Sequence, residues 1–132
     1  MLPKFRVWCK NRNEWERDTC YIQQDGTLYQ RSKGSERLIP ILEKNHVVMQ
    51  STGLKDRNGV ELFEGDVVRV SNHPFQKKED SAGIEIDGNY LIGWSDHSLT
   101  WLAGDLLLHQ LKPYIEVIGN IYEDKELLEV EG

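Results

Sequence analysis

The run Ser95-Asp96-His97 places a nucleophile, a carboxylate and a base side by side. Acyl transfer uses these three residue types, because the base takes the nucleophile's proton and the carboxylate orients the base. Adjacent residues on a strand point to opposite faces, so these neighbours cannot form a triad among themselves. We interpret the run as a polar loop between Ile92 and Leu99, and we predict that the protein is not an enzyme.

Four carboxylates stand close together in a turn-rich segment, namely Asp56, Glu61, Glu64 and Asp66. Such a group could hold a metal ion or form an acid–base pair. The segment is similar to the start of a calcium-binding loop, but Val67 occupies the twelfth position, where that loop requires glutamate. Because Asp and Asn side chains bond their own backbone in turns, the spacing predicts turns rather than a ligand site.

The thiols and imidazoles show no metal-binding spacing. Cys9 and Cys20 could face each other across a hairpin, but a reducing compartment favours two free thiols. Two cysteines alone do not complete a structural zinc site, and no histidine lies close to them in sequence. His46, His73 and His109 are scattered along the chain. We therefore predict neither a metal nor a cofactor.

Trp94 and Trp101 flank the polar loop, and Tyr90 precedes them in the sequence. Exposed rings would offer a stacking surface for a base or an anchor for a protein partner, whereas buried rings would belong to the core. A strand places Tyr90 and Trp94 on one face, which favours the core for at least one of them. The residues selected as a binding site are Trp94, His97, Trp101, Lys77 and Lys78.

The first third of the chain has the pattern of a β-meander. Alternating apolar and basic residues predict a strand over residues 4–9. Residues 15–22 predict a return strand, and Asp25-Gly26 predicts a turn into residues 27–30. A short strand over 46–49 follows.

Turn residues also organise the rest of the chain. Asn58-Gly59 predicts a hairpin, and Gly65 is expected to take a positive φ before a strand over 67–70. Asp87-Gly88 predicts a second hairpin, between residues 84–86 and 90–94. Asp105 is expected to cap a helical turn over 105–111, and Asp124 a final helix through 128.

These elements predict a mainly β fold (β-rich α+β). It comprises an N-terminal β-meander, a small SH3-like β-barrel in the second half and a short C-terminal helix. We expect a single domain over residues 1–132. A subdivision into an N-terminal β layer (1–50) and a barrel-like part (51–132) is the alternative organisation.

Composition restricts the class of protein. The chain has 132 residues, a net charge of −6, four tryptophans and five tyrosines, which is typical of one folded domain that avoids nonspecific nucleic-acid binding. It shows neither the roughly 18 apolar residues of a membrane span nor the apolar core of a signal peptide, so we expect a cytoplasmic protein without membrane contact. Residues 1–12 are basic and residues 116–132 acidic. Either these are solvated faces, or the basic edge of one subunit meets the acidic tail of another.

Three segments carry a specific resemblance. They are Lys4-Phe5-Arg6-Val7-Trp8, Thr52-Gly53-Leu54-Lys55-Asp56-Arg57-Asn58-Gly59 with Phe63-Glu64-Gly65-Asp66-Val67-Val68, and Val117-Ile118-Gly119-Asn120-Ile121-Tyr122-Glu123. In this order they resemble the YopX family, small proteins encoded by bacteriophages and prophages. Cys9 departs from the pattern, since related proteins often carry an acid there. The resemblance implies an accessory protein without assigned activity, catalytic residues or cofactor, and it implies self-association as trimers or larger rings.

We therefore expect a phage or prophage accessory protein that acts in a bacterial host as a non-enzymatic protein-binding scaffold. Its partner would be a host or phage protein. The alternative is a single-stranded nucleic-acid-binding module that uses the tryptophans and the loop lysines, although Glu79 and Asp80 offset those lysines locally.

Overall fold

The computed structural model describes residues 4–17, 19–31, 37–41, 45–76 and 84–128. The chain divides into two compact units, one of residues 4–50 and one that begins at Ser51. Strands dominate both units, so the predicted mainly β fold is confirmed. Within the described ranges, no helix has the length and apolar character that a bilayer span needs.

The first unit contains small antiparallel sheets. Its strands are β1 (Phe5–Cys9), β2 (Glu14–Trp15), β3 (Thr19–Ile22), β4 (Leu28–Arg31), β5 (Leu38–Pro40) and the first half of β6 (His46–Lys55). β1 pairs with β2 and β6, whereas β3, β4 and β5 form a meander. The single return strand predicted over 15–22 is wrong, because β2 and β3 replace it and pair in different sheets.

Aromatic and aliphatic side chains of β1 form the centre of this unit. Val7, Trp8 and Cys9 are buried. Trp8 lies opposite Trp15, and the two rings meet edge to face with centroids 5.0 Å apart. The Arg6 guanidinium lies 4.6 Å from the centre of a Trp15 ring, so a cationic side chain of β1 packs on an aromatic side chain of β2.

The second unit is built on a five-stranded antiparallel sheet. The strands of the whole unit are the second half of β6, β7 (Glu61–Phe63), β8 (Asp66–Val70), β9 (Gly88–Ser95), β10 (Thr100–Ala103), β11 (Leu106–Leu107) and β12 (Ile115–Asn120). The order in the sheet is β11-β10-β9-β8-β12, and β7 pairs with β6. Since β11 and β12 are the edges in this order, the SH3-like barrel stays a prediction.

Branched aliphatic side chains fill the core of the second unit. Val68 and Val70 of β8 pack there with Ile92 of β9 and Ile115 of β12. The burial of such side chains is the main favourable term in folding, at about 25 cal/mol per Å² of apolar surface. The core therefore fixes β9 and β10, the strands that carry Trp94 and Trp101.

Two predicted turns are confirmed, and both use carboxylates. Gly59 has φ 82° and Gly65 φ 87°. Buried Asp56 accepts hydrogen bonds from the backbone N–H groups of Asn58 and Val60 at 2.8 and 2.9 Å, and buried Asp66 accepts one from Phe63 at 2.9 Å. These two acids therefore hold chain reversals, as their spacing predicted.

Two other local predictions are wrong. Asp87-Gly88 does not turn a hairpin, because β9 begins at Gly88 and pairs with β8 and β10. Asp105 does not cap a helix: α1 (Leu108–Leu111) begins after Leu107, which provides no side-chain cap. Lys112–Tyr114 continues α1 as a 3₁₀ helix. The final helix is a 3₁₀ turn over Lys125–Leu128.

Gly104 gives the first testable prediction, since its φ is 59° and an added Cβ would lie 2.7 Å from Tyr90 Cδ1. The Tyr90 hydroxyl donates to the Ile86 carbonyl, which restricts movement of the ring. We expect Gly104→Ala to lower the free energy of unfolding by about 2 kcal/mol through backbone strain and overpacking. Urea denaturation measures this change. Gly93→Ala is the matched control, because a Cβ at Gly93 meets nothing within 4 Å. Equal effects of the two substitutions would contradict the prediction.

Candidate functional site

The predicted tryptophan pair lies at the turn end of the β9–β10 hairpin. Trp94 lies directly opposite Trp101, with ring centroids 5.3 Å apart in an edge-to-face arrangement. Trp101 packs against the core of the second unit, whereas Trp94 is 47% exposed. One ring of the pair therefore anchors to the core, and the other presents apolar surface to solvent.

Hydrogen bonds fix the turn that joins the two strands. The Trp94 indole Nε1–H donates to Asp96 Oδ1 at 2.9 Å, and the Ser98 backbone N–H donates to Ser95 Oγ at 3.0 Å. His97 is exposed in this turn. Ser95 and Asp96 are thus engaged with different partners.

Leu99 closes the same turn in an unusual conformation. Its φ is 51° and its side chain is 74% exposed. A leucine at positive φ is strained, and its exposure offers no burial energy in return. Together with Trp94 it forms what we call the hairpin tip, defined as Trp94 near the end of β9 and Leu99 in the turn that follows β9. The structure thus places Trp94, Trp101 and His97 on one hairpin, whereas Lys77 and Lys78 lie outside the described residues.

A second cluster, which the sequence did not predict, lies in the first unit. The Cys9 cluster consists of Cys9, Arg12, Glu16, Gln30 and His46. The Cys9 thiol, a Glu16 carboxylate oxygen and a His46 ring nitrogen all lie within 4.8 Å of one another. Cys9 is 4% exposed and the Glu16 side chain 2%. Sulfur, nitrogen and oxygen ligand atoms therefore converge in a buried position.

Glu16 accepts hydrogen bonds from three side chains. Its Oε2 lies 2.6 Å from Arg12 Nη2 and 3.1 Å from His46 Nε2. Its Oε1 accepts from Gln30 Nε2 at 2.7 Å. Burial raises the pKa of the Glu16 carboxyl, but Arg12 and these hydrogen bonds outweigh burial, and the net pKa lies below its usual value.

Arg12 also acts on the thiol. Its Nε donates to Cys9 Sγ at 3.3 Å. Burial raises the pKa of the Cys9 thiol, but the hydrogen bond and charge of Arg12 lower it by more than burial raises it. The net pKa therefore lies below the ordinary thiol value. The guanidinium side chain is 50% exposed, so it reaches the buried pair from the solvent side.

Sequence reasoning missed the Cys9 cluster because its histidine comes from a distant strand. Cys9 ends β1 and lies opposite His46, the first residue of β6. No local pattern indicates that these two strands pair. The one local signal is the spacing of Arg12 and Glu16. Neither cysteine forms a disulfide, and Cys20 lies on β3 opposite Gln30.

Comparison with known proteins then places the chain in a family. The model of the family described as YopX protein matches residues 4–129. The chain belongs to the YopX protein family. The resemblance stated from three segments is thereby confirmed, and it extends over both units.

Two solved structures are similar to this YopX-family chain. The crystal structure of protein EF1440 from Enterococcus faecalis has 31% sequence identity and a TM-score of 0.61, covering 98% of this chain and 99% of that chain. The crystal structure of protein yopX from Bacillus subtilis has 21% identity and a TM-score of 0.53, covering 95% and 97%. At that identity the second likeness concerns the fold alone. Among curated proteins, none matches.

Proposed function

We propose that this YopX-family chain is a phage or prophage accessory protein that binds a partner protein through the hairpin tip and catalyses no reaction. Leu99 is the observation that carries the proposal. A strained non-glycine residue costs of order 1 kcal/mol or more, and such residues concentrate at ligand and switch sites. Glycine would satisfy the same φ without strain, so a role in contacting a partner gives a reason for leucine here.

Trp94 adds to this surface in a preorganised way. The indole is held from one side by Trp101 and from its N–H by Asp96, so little side-chain freedom is left to lose on binding. Exposed tryptophans held in this manner are frequent anchors of protein interfaces. The hairpin tip therefore fits an apolar pocket on another protein.

The charge of the surrounding segment favours a protein partner over a nucleic acid. Residues 84–111 contain Glu85, Asp87, Asp96 and Asp105 but no lysine or arginine. Single-stranded nucleic acid binds where cations follow the backbone beside the stacking rings. This segment offers the rings without the cations. The partner that it fits is a protein whose apolar pocket is bordered by lysine or arginine.

Some of the charged residues that were expected to join subunits pair within the chain instead. The sequence suggested contact between basic and acidic ends of different subunits, but Arg12 already bonds Glu16, and Glu116 lies 3.2 Å from Arg57 within the chain. Assembly into trimers or rings stays a prediction, which size-exclusion chromatography with light scattering would measure.

The proposed function predicts that Leu99→Gly separates binding from stability. We expect the variant to unfold at the same or a higher denaturant concentration, because glycine relieves the strain at φ 51°. Binding should weaken by at least 2 kcal/mol, roughly thirtyfold in Kd, as for a central anchor residue. The measurement is calorimetric titration with the purified protein that wild type captures from a bacterial lysate.

Two controls make this test specific. Val60→Ser removes an exposed apolar side chain beside a different turn of the second unit, Asn58-Gly59, and should leave the Kd unchanged. Tryptophan fluorescence is also titrated with single-stranded DNA and RNA at low salt. A quench that disappears at higher salt would favour the nucleic-acid alternative. Partner binding that survives both Leu99→Gly and Trp94→Ser would overturn the proposal.

A further inference from the structure

The Cys9 cluster supports an inference independent of the hairpin tip. We propose that Cys9, Glu16 and His46 form a binding site for a zinc-class divalent cation. In this site Arg12 occupies the solvent side as the competing cation and moves outward when the metal binds.

The geometry needs only small side-chain movements. A tetrahedral site with metal–ligand bonds of 2.0–2.3 Å has ligand atoms roughly 3.5 Å apart. Glu16 Oε2 and His46 Nε2 are already 3.1 Å apart, and one ligand atom from each of Cys9, Glu16 and His46 lies within 4.8 Å of the other two. Cys9 and His46 are direct partners across β1 and β6, so the strand pairing fixes their backbones on adjacent positions.

The ligand set selects the class of metal. Thiolate and imidazole are ligands of zinc and of neighbouring late transition metals, whereas calcium and magnesium take oxygen ligands. Three protein ligands leave the fourth position of a tetrahedral zinc ion to water. The expected occupant is thus Zn²⁺, and Co²⁺ is the spectroscopic probe with the same preference for this geometry.

Arg12 shows that the site already stabilises a positive charge. Its guanidinium contacts the thiol through Nε and the carboxylate through Nη2. The side chain is half-exposed, and Glu14 Oε1 lies 3.7 Å from its Nε. Arg12 can therefore leave the cluster and keep an acidic neighbour outside it.

Gln30 supplies the outer support that metal sites commonly have. Its amide donates to Glu16 Oε1, which directs Oε2 toward His46. Loss of such a supporting hydrogen bond typically weakens metal binding 10- to 100-fold. If the network only neutralised Glu16, substitution of Gln30 would not change the affinity of the protein for a metal ion.

The test is titration of the full-length, untagged, reduced and metal-free protein with Co²⁺, followed by Zn²⁺. We expect one equivalent of Co²⁺ to give a thiolate-to-cobalt charge-transfer band, which Zn²⁺ then removes, and Zn²⁺ to raise the melting temperature. Cys9→Ser should abolish the band. The matched control is Cys20→Ser, which removes the second cysteine of the chain and should leave the band intact.

Two further variants keep the test decisive if Cys9→Ser does not fold. Gln30→Ala should weaken Zn²⁺ binding about tenfold, and Arg12→Gln should tighten it several-fold because the competing cation is gone. The proposal is overturned if wild type shows no thiolate band at one equivalent, if Cys20→Ser removes the band, or if Arg12→Gln leaves the affinity unchanged or weaker.

Discussion

Replacing Asp56 by alanine should lower the free energy of unfolding by about 3 kcal/mol. Its carboxylate accepts three backbone hydrogen bonds, from Asn58, Val60 and Val117, and the side chain is buried. A hydrogen bond to a charged group contributes roughly 1.5–3 kcal/mol to stability. A buried N–H that is left without its acceptor costs about 1–3 kcal/mol. Urea denaturation of the purified variant measures the loss.

Asp25 is the matched control for this prediction. It also accepts a bond from a backbone N–H two residues on, that of Thr27, but in an exposed turn. Asp25→Ala should therefore cost far less. Asp56→Asn should fall between wild type and Asp56→Ala, because it keeps one acceptor and places a donor group against Asn58 or Val117. Equal destabilisation by Asp25→Ala and Asp56→Ala would show that burial of the carboxylate is unimportant.

Replacing Glu16 by alanine should have a comparable effect on the first unit. We expect about 3 kcal/mol, the lower end of the range for breaking a buried ion pair, because half-exposed Arg12 can turn to water while Gln30 and His46 lose an acceptor. Near-ultraviolet circular dichroism during denaturation reports this loss, since Trp8 and Trp15 lie in the same unit.

Glu14 provides the comparison in this case. It also forms ion pairs with arginines, at 3.7 Å to Arg12 and 3.3 Å to Arg17, but at a more exposed position. Exposed pairs contribute about 1 kcal/mol or less. A loss on Glu14→Ala as large as that on Glu16→Ala would mean that the buried position of Glu16 adds nothing to stability.

The turns of this protein could be predicted from sequence because their causes are local. Asp56 bonds its own backbone, and Gly59 and Gly65 take positive φ, whichever strands surround them. The same local reasoning failed at Asp87-Gly88 and at Asp105. In both places strand pairing decides the outcome. β8 pairs with β9 from Gly88 onward, and β11 pairs with β10 just after Asp105.

The tryptophan pair and the Cys9 cluster also differ in how much of each could be predicted from local sequence. Trp94 and Trp101 are separated by a short turn, so their proximity was predictable, but their unequal exposure was not, because it depends on which core the sheet covers. The approach of His46 to Cys9 depends on pairing across 37 positions, for which the sequence contains no local signal. Leu99 was expected to begin a strand, but it takes a positive φ in the turn before β10, and nothing in its residue type indicates that φ.

The hydrogen bonds of the Asp56 carboxylate become possible at different times while the ribosome synthesises the chain. Its Oδ1 bonds Asn58 and Val60, which emerge a few residues later, whereas its Oδ2 bonds Val117, 61 residues further along the chain. At translation rates of roughly 5–20 residues per second, several seconds separate the two. The nascent hairpin can therefore form with one oxygen still hydrated, and the arrival of β12 completes the bonding of this side chain.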